Sequence, residues 1–111
     1  MYSRTIIQGR IVKTPELRAT AAGVPVTTIV VACGRNYIKN DGTRDADFYE
    51  VVLWRDLAEF AVKNFGKGRK ILAEGRMQSR EFVGKDGVRR EKWELIADSV
   101  EFDDAKPKEE A

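Results

Sequence analysis

Histidine is absent from the 111 residues, and Cys33 is the single cysteine. Without these two residue types, no zinc site of the usual Cys/His kind can be assembled. The side chain most often used as a general base near neutral pH is missing as well. Asp and Glu are scattered with no pair standing out, so enzymatic function is disfavoured, and neither a metal nor a cofactor is expected. A lone cysteine excludes an intrachain disulfide and fits a cytosolic protein. Set beside Ile29, Val31 and Ala32, it reads as a small core residue. No apolar run approaches the roughly 20 residues of a membrane-spanning helix, so no membrane partner is expected. Met1-Tyr2-Ser3-Arg4 has no signal-peptide architecture. Internal repeats and low-complexity blocks are lacking too.

What remains is one small globular domain. Hydrophobic residues make up 42% of the chain, enough to build a core. The net charge of +2 is unevenly spread: the last nine residues carry −2, which leaves +4 on the body. A modest basic excess is compatible with a polyanionic partner without requiring one.

The apolar period is mostly two, with one helical interruption. Strands are predicted over Arg4–Lys13, Pro25–Arg35, Asp47–Arg55, Arg69–Arg80 and Arg90–Phe102. A short extended piece follows the first of these at Glu16–Thr20. Polar turns are expected at Lys39–Asp45, around Asn40-Asp41-Gly42, and at Gly84-Lys85-Asp86-Gly87. Between the third and fourth strands, Asp56–Phe65 puts Leu57, Phe60, Ala61 and Phe65 on one helical stripe. Asp56 is placed as its N-cap, with Glu59 completing a capping box and Gly66 stopping the helix. Five strands with one helix between the third and fourth match an all-β, five-stranded Greek-key barrel of the oligonucleotide-binding (OB) type. Element order alone also fits other small α+β folds. The domain is expected over 1–102, with a short disordered tail over 103–111.

Side-chain alternation divides each strand into two faces. On the third strand Tyr49, Val51 and Leu53 share a core face, while Phe48, Glu50, Val52 and Trp54 share the other. On the fourth, Ile71, Ala73, Gly75 and Met77 oppose Glu74, Arg76, Gln78, Arg80 and Phe82. Thr28, Val30, Ala32 and Gly34 form a small-residue face that could admit a flat ligand or a partner subunit. Aromatic rings interleaved with cations suit sequence-tolerant binding of unpaired nucleotides, because every base has a π-face. The stacking candidates are Tyr37, Phe48, Trp54 and Phe82. The phosphate candidates are Arg35, Lys39, Arg55, Arg76, Arg80 and Arg89. Phe60, Phe65, Tyr49 and Phe102 are assigned to the core, and Trp93 to core or hairpin packing. From the residues alone, both a functional and a packing reading of Phe48 and Trp54 stay open.

Three motifs in order carry a resemblance: Ile7-Gln8-Gly9-Arg10-Ile11 followed by Thr14-Pro15-Glu16-Leu17-Arg18; Phe48-Tyr49-Glu50-Val51-Val52-Leu53-Trp54 followed by Leu57-Ala58-Glu59; and Lys67-Gly68 followed by Glu74-Gly75-Arg76-Met77-Gln78-Ser79-Arg80 and an aromatic. Across residues 5–102 the chain resembles the bacterial single-stranded DNA-binding protein family. Thr14 stands where the family usually has Asp. The resemblance implies an OB barrel and sequence-independent binding of single-stranded DNA during replication, recombination or repair. It also implies a homotetramer, with a homodimer as the alternative, and a cytoplasmic, nucleoid-associated location. Stacking is implied at Tyr37, Phe48, Trp54 and Phe82; Tyr37, Phe48 and Phe82 stand where Trp is frequent. Family members commonly add a Gly/Gln/Pro-rich linker and an acidic tip ending in Pro-Phe. This chain ends Pro107-Lys108-Glu109-Glu110-Ala111, so it looks like a short form, and tail-mediated recruitment of repair proteins is not expected. Two other uses of such a barrel remain: a primosome-type protein–protein adaptor and an RNA-binding module.

Overall fold

The computed structural model describes residues 2–103. Its elements run β1 (Thr5–Ile11), β2 (Arg18–Ala19), β3 (Pro25–Gly34), β4 (Ala46–Trp54), α1 (Asp56–Asn64), β5 (Lys70–Val83) and β6 (Arg89–Phe102). The five long strands and the helix fall where the periodicity places them. β2 is the short extended piece after the first strand, so the helix lies between the third and fourth long strands. The tail expected over 103–111 lies, from residue 104 onward, outside the described residues.

The sheet order is β1-β5-β6-β4-β3-β2, and a further β1–β3 pairing closes it into a barrel. Closure uses Arg10↔Ala32 and Ile11↔Val31, extended by the Val12 N–H donating to the Val30 carbonyl at 2.9 Å. Gly9 sits at this seam, where a Cβ would overlap the carbonyl oxygen of Ala32. β4 and β6 run parallel through Glu50↔Glu94, Val51↔Leu95 and Val52↔Ile96. The β5–β6 ladder is antiparallel and shifts register between Glu74 and Gly75, one extra β6 residue being accommodated there. A Cβ on Gly75 would collide with the carbonyl oxygen of Ile96. Gly9 of the first motif and Gly75 of the third therefore mark close backbone approaches.

The core follows the alternation. Ile7, Ile11, Ile29, Val31, Val51, Leu53, Ile71, Ala73, Leu95, Ala97 and Val100 are buried in one cluster. Each fully buried Ile, Leu or Val side chain contributes about 1.5–3 kcal/mol by removal from water. Thr27 is fully buried; its hydroxyl donates to the Glu16 carbonyl at 2.8 Å and so ties the β1–β2 connection to β3.

Several local expectations are corrected. Arg55, not Asp56, occupies the N-cap, with no side-chain cap bond, because the chain turns there with Arg55 at φ 57°. Asp56 and Glu59 lie in the first turn, where their charge still favours the helix dipole. The buried helical stripe is Ala58 and Ala61, leading to Phe65, while Phe60 is partly exposed and meets the Phe65 ring edge-on at 5.5 Å. Tyr49 has the core parity but stands more than a third exposed, one step beyond Val51. Trp93 is 57% exposed rather than packed. It pairs with Ser79 on the part of the β5–β6 hairpin that runs past Leu95, where no second layer covers that face. Phe65 and Phe102 do pack together, edge-on at 4.9 Å. Cys33 is partly buried against the core, its thiol donating to the Gln8 carbonyl at 3.1 Å; burial pushes that thiol's pKa up. Among the described residues no helix is long and apolar enough to cross a membrane.

Candidate nucleic-acid interface

The outward faces of β3, β4, β5 and β6 are continuous. Across β3–β4 the outward pairs are Ala32↔Phe48, Val30↔Glu50, Thr28↔Val52 and Val26↔Trp54. The parallel pairing of β4 with β6 then brings in Glu94 and Ile96. The β5 partners continue the face through Arg80↔Lys92, Gln78↔Glu94 and Arg76↔Ile96. An open groove of about 690 Å³ runs over this surface, with Arg18, Thr28, Glu50, Trp54, Arg80, Lys92 and Glu94 among its lining residues.

The four expected stacking residues fall on or beside this face. Phe48 is 64% exposed and Trp54 41%, so neither belongs to the interior. Tyr37, 71% exposed, stands in the β3–β4 loop. Phe82 is half-buried near the end of the β5–β6 hairpin, with the Lys92 ammonium 5.8 Å from its ring centroid. The rings have small or aliphatic cross-strand neighbours, Ala32 for Phe48 and Val26 for Trp54, which leaves their faces open.

The expected cations separate into two groups. Arg35 pairs with Asp47 at 2.7 Å, Lys39 with Asp45 at 2.9 Å, Arg80 with Glu94 at 3.2 Å and Arg89 with Glu81 at 2.9 Å. Arg35 holds the Asp47 carboxyl below the usual carboxylate range. Hydrogen bonding to Glu94 raises the Arg80 guanidinium pKa, fixing its charge. Arg55 and Arg76 are exposed and have no carboxylate partner among the described residues; Arg76 donates to the Gln78 side chain at 3.3 Å. The second group is free to meet a polyanion without breaking an ion pair.

Three groove residues escaped the sequence reading as binding candidates. Arg18 lies on β2 opposite Val26 and donates to the Thr28 hydroxyl at 2.9 Å, which lays its guanidinium along the groove. Lys92 bridges Glu50 at 3.1 Å and Glu94 at 3.8 Å. Glu94 is only 7% exposed and is satisfied by Arg80 and Lys92 together. Arg18 was visible only as part of a motif. The Lys92 contacts depend on β4–β6 register, which no local pattern encodes.

A closed barrel of five long strands with one helix, carrying rings and cations on one outer face, defines an OB-fold domain with a nucleic-acid type of groove. The model of the single-strand binding protein family matches residues 2–103, and the chain belongs to that family. It is 40% identical over 102 residues to the single-stranded DNA-binding protein of Caldanaerobacter subterraneus subsp. tengcongensis, covering 92% of this chain and 68% of that protein. Single-stranded DNA-binding protein 2 of Staphylococcus aureus strain Mu50 is 41% identical, covering 92% and 72% respectively. Single-stranded DNA-binding protein 3 of Listeria innocua is 40% identical, covering 96% and 66%. The chain thus spans about two thirds of the length of these relatives.

Proposed function

We propose that the protein binds single-stranded DNA without regard to sequence, holding and protecting strands exposed in replication, recombination or repair. The observation that carries this reading is the outward placement of Phe48 and Trp54 beside cations, on a face whose inward counterpart is a complete aliphatic core. Bases stack on Phe48, Trp54, Tyr37 and Phe82, each stack contributing about 1–3 kcal/mol. Phosphates meet Arg55, Arg76 and Arg18 first. Arg35, Lys39, Arg80 and Arg89 act mainly by shaping the face, since each already holds a carboxylate. Duplex DNA binds poorly because its bases are already stacked. No reacting group is invoked: the protein acts by binding alone, in the cytoplasm at the nucleoid.

Assembly into a homotetramer, or a homodimer, belongs to the same proposal. β1 pairs with β5 from Thr5 to Arg10 but with β3 only from Arg10 onward, so the start of the strand offers one unpaired edge beside the exposed Ile6. An open edge of this kind is a template for another strand.

Titration with oligo-dT over a salt series tests the reading. With three uncommitted cations engaged per protomer, log K falls against log salt with a slope of about −2. A slope near zero, or equal affinity for duplex, contradicts it. Sedimentation with and without oligo-dT reports assembly in the same samples.

A further inference from the structure

Phe82 stands apart from the other rings of the outward face. It lies on the β5–β6 hairpin beyond the level of the β4–β6 pair Glu50↔Glu94. Arg90, directly across the ladder from it, is drawn to Asp86 at 2.5 Å. The side chain that faces the ring is Lys92, which pairs with Arg80 and so is diagonal to Phe82. Diagonal neighbours on a ladder are within reach of aromatic and long side chains. The Lys92 ammonium is 5.8 Å from the ring centroid, inside the range in which a cation is attracted to a ring face. Lys92 is itself held: both Glu50 carboxylate oxygens lie within 3.2 Å of its ammonium, and Glu94 lies at 3.8 Å. Arg80 holds Glu94 and acts on Glu50 through its charge, so two cations and two carboxylates form one neutral cluster across β4, β5 and β6. A phosphate could take Lys92 only by opening that cluster, whereas Arg55 and Arg76 have no carboxylate partner among the described residues.

We propose that Lys92 is a positioning residue for the Phe82 stack and makes no phosphate contact, an inference that rests on the single-strand reading of this face. A half-buried phenylalanine can turn about two side-chain torsions. The ammonium occupies one face of the ring and leaves the other for a base of any kind, so the ordering of the ring precedes binding instead of being lost from it. The anchor of Lys92 is Glu50, which shares the outward face of β4 with Phe48 two residues away. Lys92 therefore ties the ring on the hairpin to the strand that carries another stacking ring.

The test is titration with oligo-dT over a salt series, in wild type, Lys92→Arg and the double variant Glu50→Gln/Lys92→Met, each with Phe82 present and with Phe82→Leu. The double variant removes the cation and its anchor together, so the net charge of the groove stays constant and Met keeps the length of the side chain. Glu50→Gln/Lys92→Gln is a second form of the same exchange should the first fail to fold. Affinity is expected to fall about two- to fivefold in the double variant, the equivalent of one exposed cation–π contact, with the salt slope unchanged. Lys92→Arg recovers most of that loss, because a guanidinium also pairs with carboxylates and sits on a ring. With Phe82→Leu in place, the double variant causes no further loss. A salt slope reduced by about one makes Lys92 a phosphate contact and overturns the inference. So does an unchanged affinity, or an equal loss with and without the Phe82 ring. Phe82→Leu binding as tightly as wild type removes Phe82 from the surface and the inference with it. Failure of wild type to bind oligo-dT overturns the single-strand reading itself.

Discussion

Phe48 stands directly across the β3–β4 ladder from Ala32. A methyl group cannot cover a phenyl ring, so the ring keeps most of its surface in water, a loss that folding alone does not justify. The same relation holds less sharply for Trp54 and Val26. Both rings are therefore expected to be dispensable for stability and needed for binding. Phe48→Ala and Trp54→Ala should each weaken oligo-dT binding by about 1–3 kcal/mol in fluorescence-anisotropy titrations. Their thermal midpoints should stay close to wild type. A large fall in midpoint with unchanged affinity would return the rings to a packing role.

Arg55 carries the one positive φ outside glycine among the described residues, at φ 57° and ψ −125°. That region costs a side-chain-bearing residue about 1–3 kcal/mol and is natural for glycine. It also follows Trp54 immediately and lacks a carboxylate partner. Arg55→Gly is expected to raise stability by about 1 kcal/mol in urea unfolding while weakening oligo-dT binding and reducing its salt slope. A variant that gains stability and keeps full affinity would remove Arg55 from the interface.

Gly9 and Gly75 face backbone carbonyls at the barrel seam and at the β5–β6 register shift. Alanine at either position must push two strands apart. Each substitution should cost about 1–3 kcal/mol in chemical unfolding, as over-packing does elsewhere. Gly66→Ala, where nothing lies within reach of a new Cβ, should cost much less.

Arg4 joins Glu74 at 2.9 Å and Asp98 at 2.6 Å, linking the start of the chain to β5 and β6. Its hydrogen bonds hold the Asp98 carboxyl below the usual aspartate range. A depressed carboxylate contributes stability that is present above its unfolded value, about pH 4, and lost as the pH falls through the lower folded value. Unfolding curves of wild type and Arg4→Gln should therefore separate above about pH 4 and converge in stronger acid. A gap persisting in strong acid would assign the Arg4 contribution to packing instead.

The periodicity of Val, Ile and Leu located all five long strands, and parity put Phe48 and Trp54 on the face opposite the core while leaving open whether they bind or pack. Parity names a face but not where the core ends along it. Tyr49 and Trp93 share the inward parity of Val51 and Leu95, yet each lies one inward position beyond them, Tyr49 on β4 opposite Val31 and Trp93 on the β5–β6 hairpin opposite Ser79, and both stand exposed. The helix N-cap was misplaced by one residue because the turn at Arg55 uses a backbone conformation its side chain does not advertise. The ion pairs that commit Arg80 and Lys92 join residues brought together only by sheet register, so single-strand patterns could not distinguish engaged cations from free ones.

The two tryptophans allow the central claim to be read directly, because Trp54 lies on the groove and Trp93 has the opposite parity. In Trp93→Phe, Trp54 is the sole indole, and titration with oligo-dT at low salt should quench its emission to saturation. Added salt should restore that emission as the DNA dissociates. Unchanged Trp54 emission at DNA concentrations that saturate binding by an independent assay would contradict the placement of bases on this face.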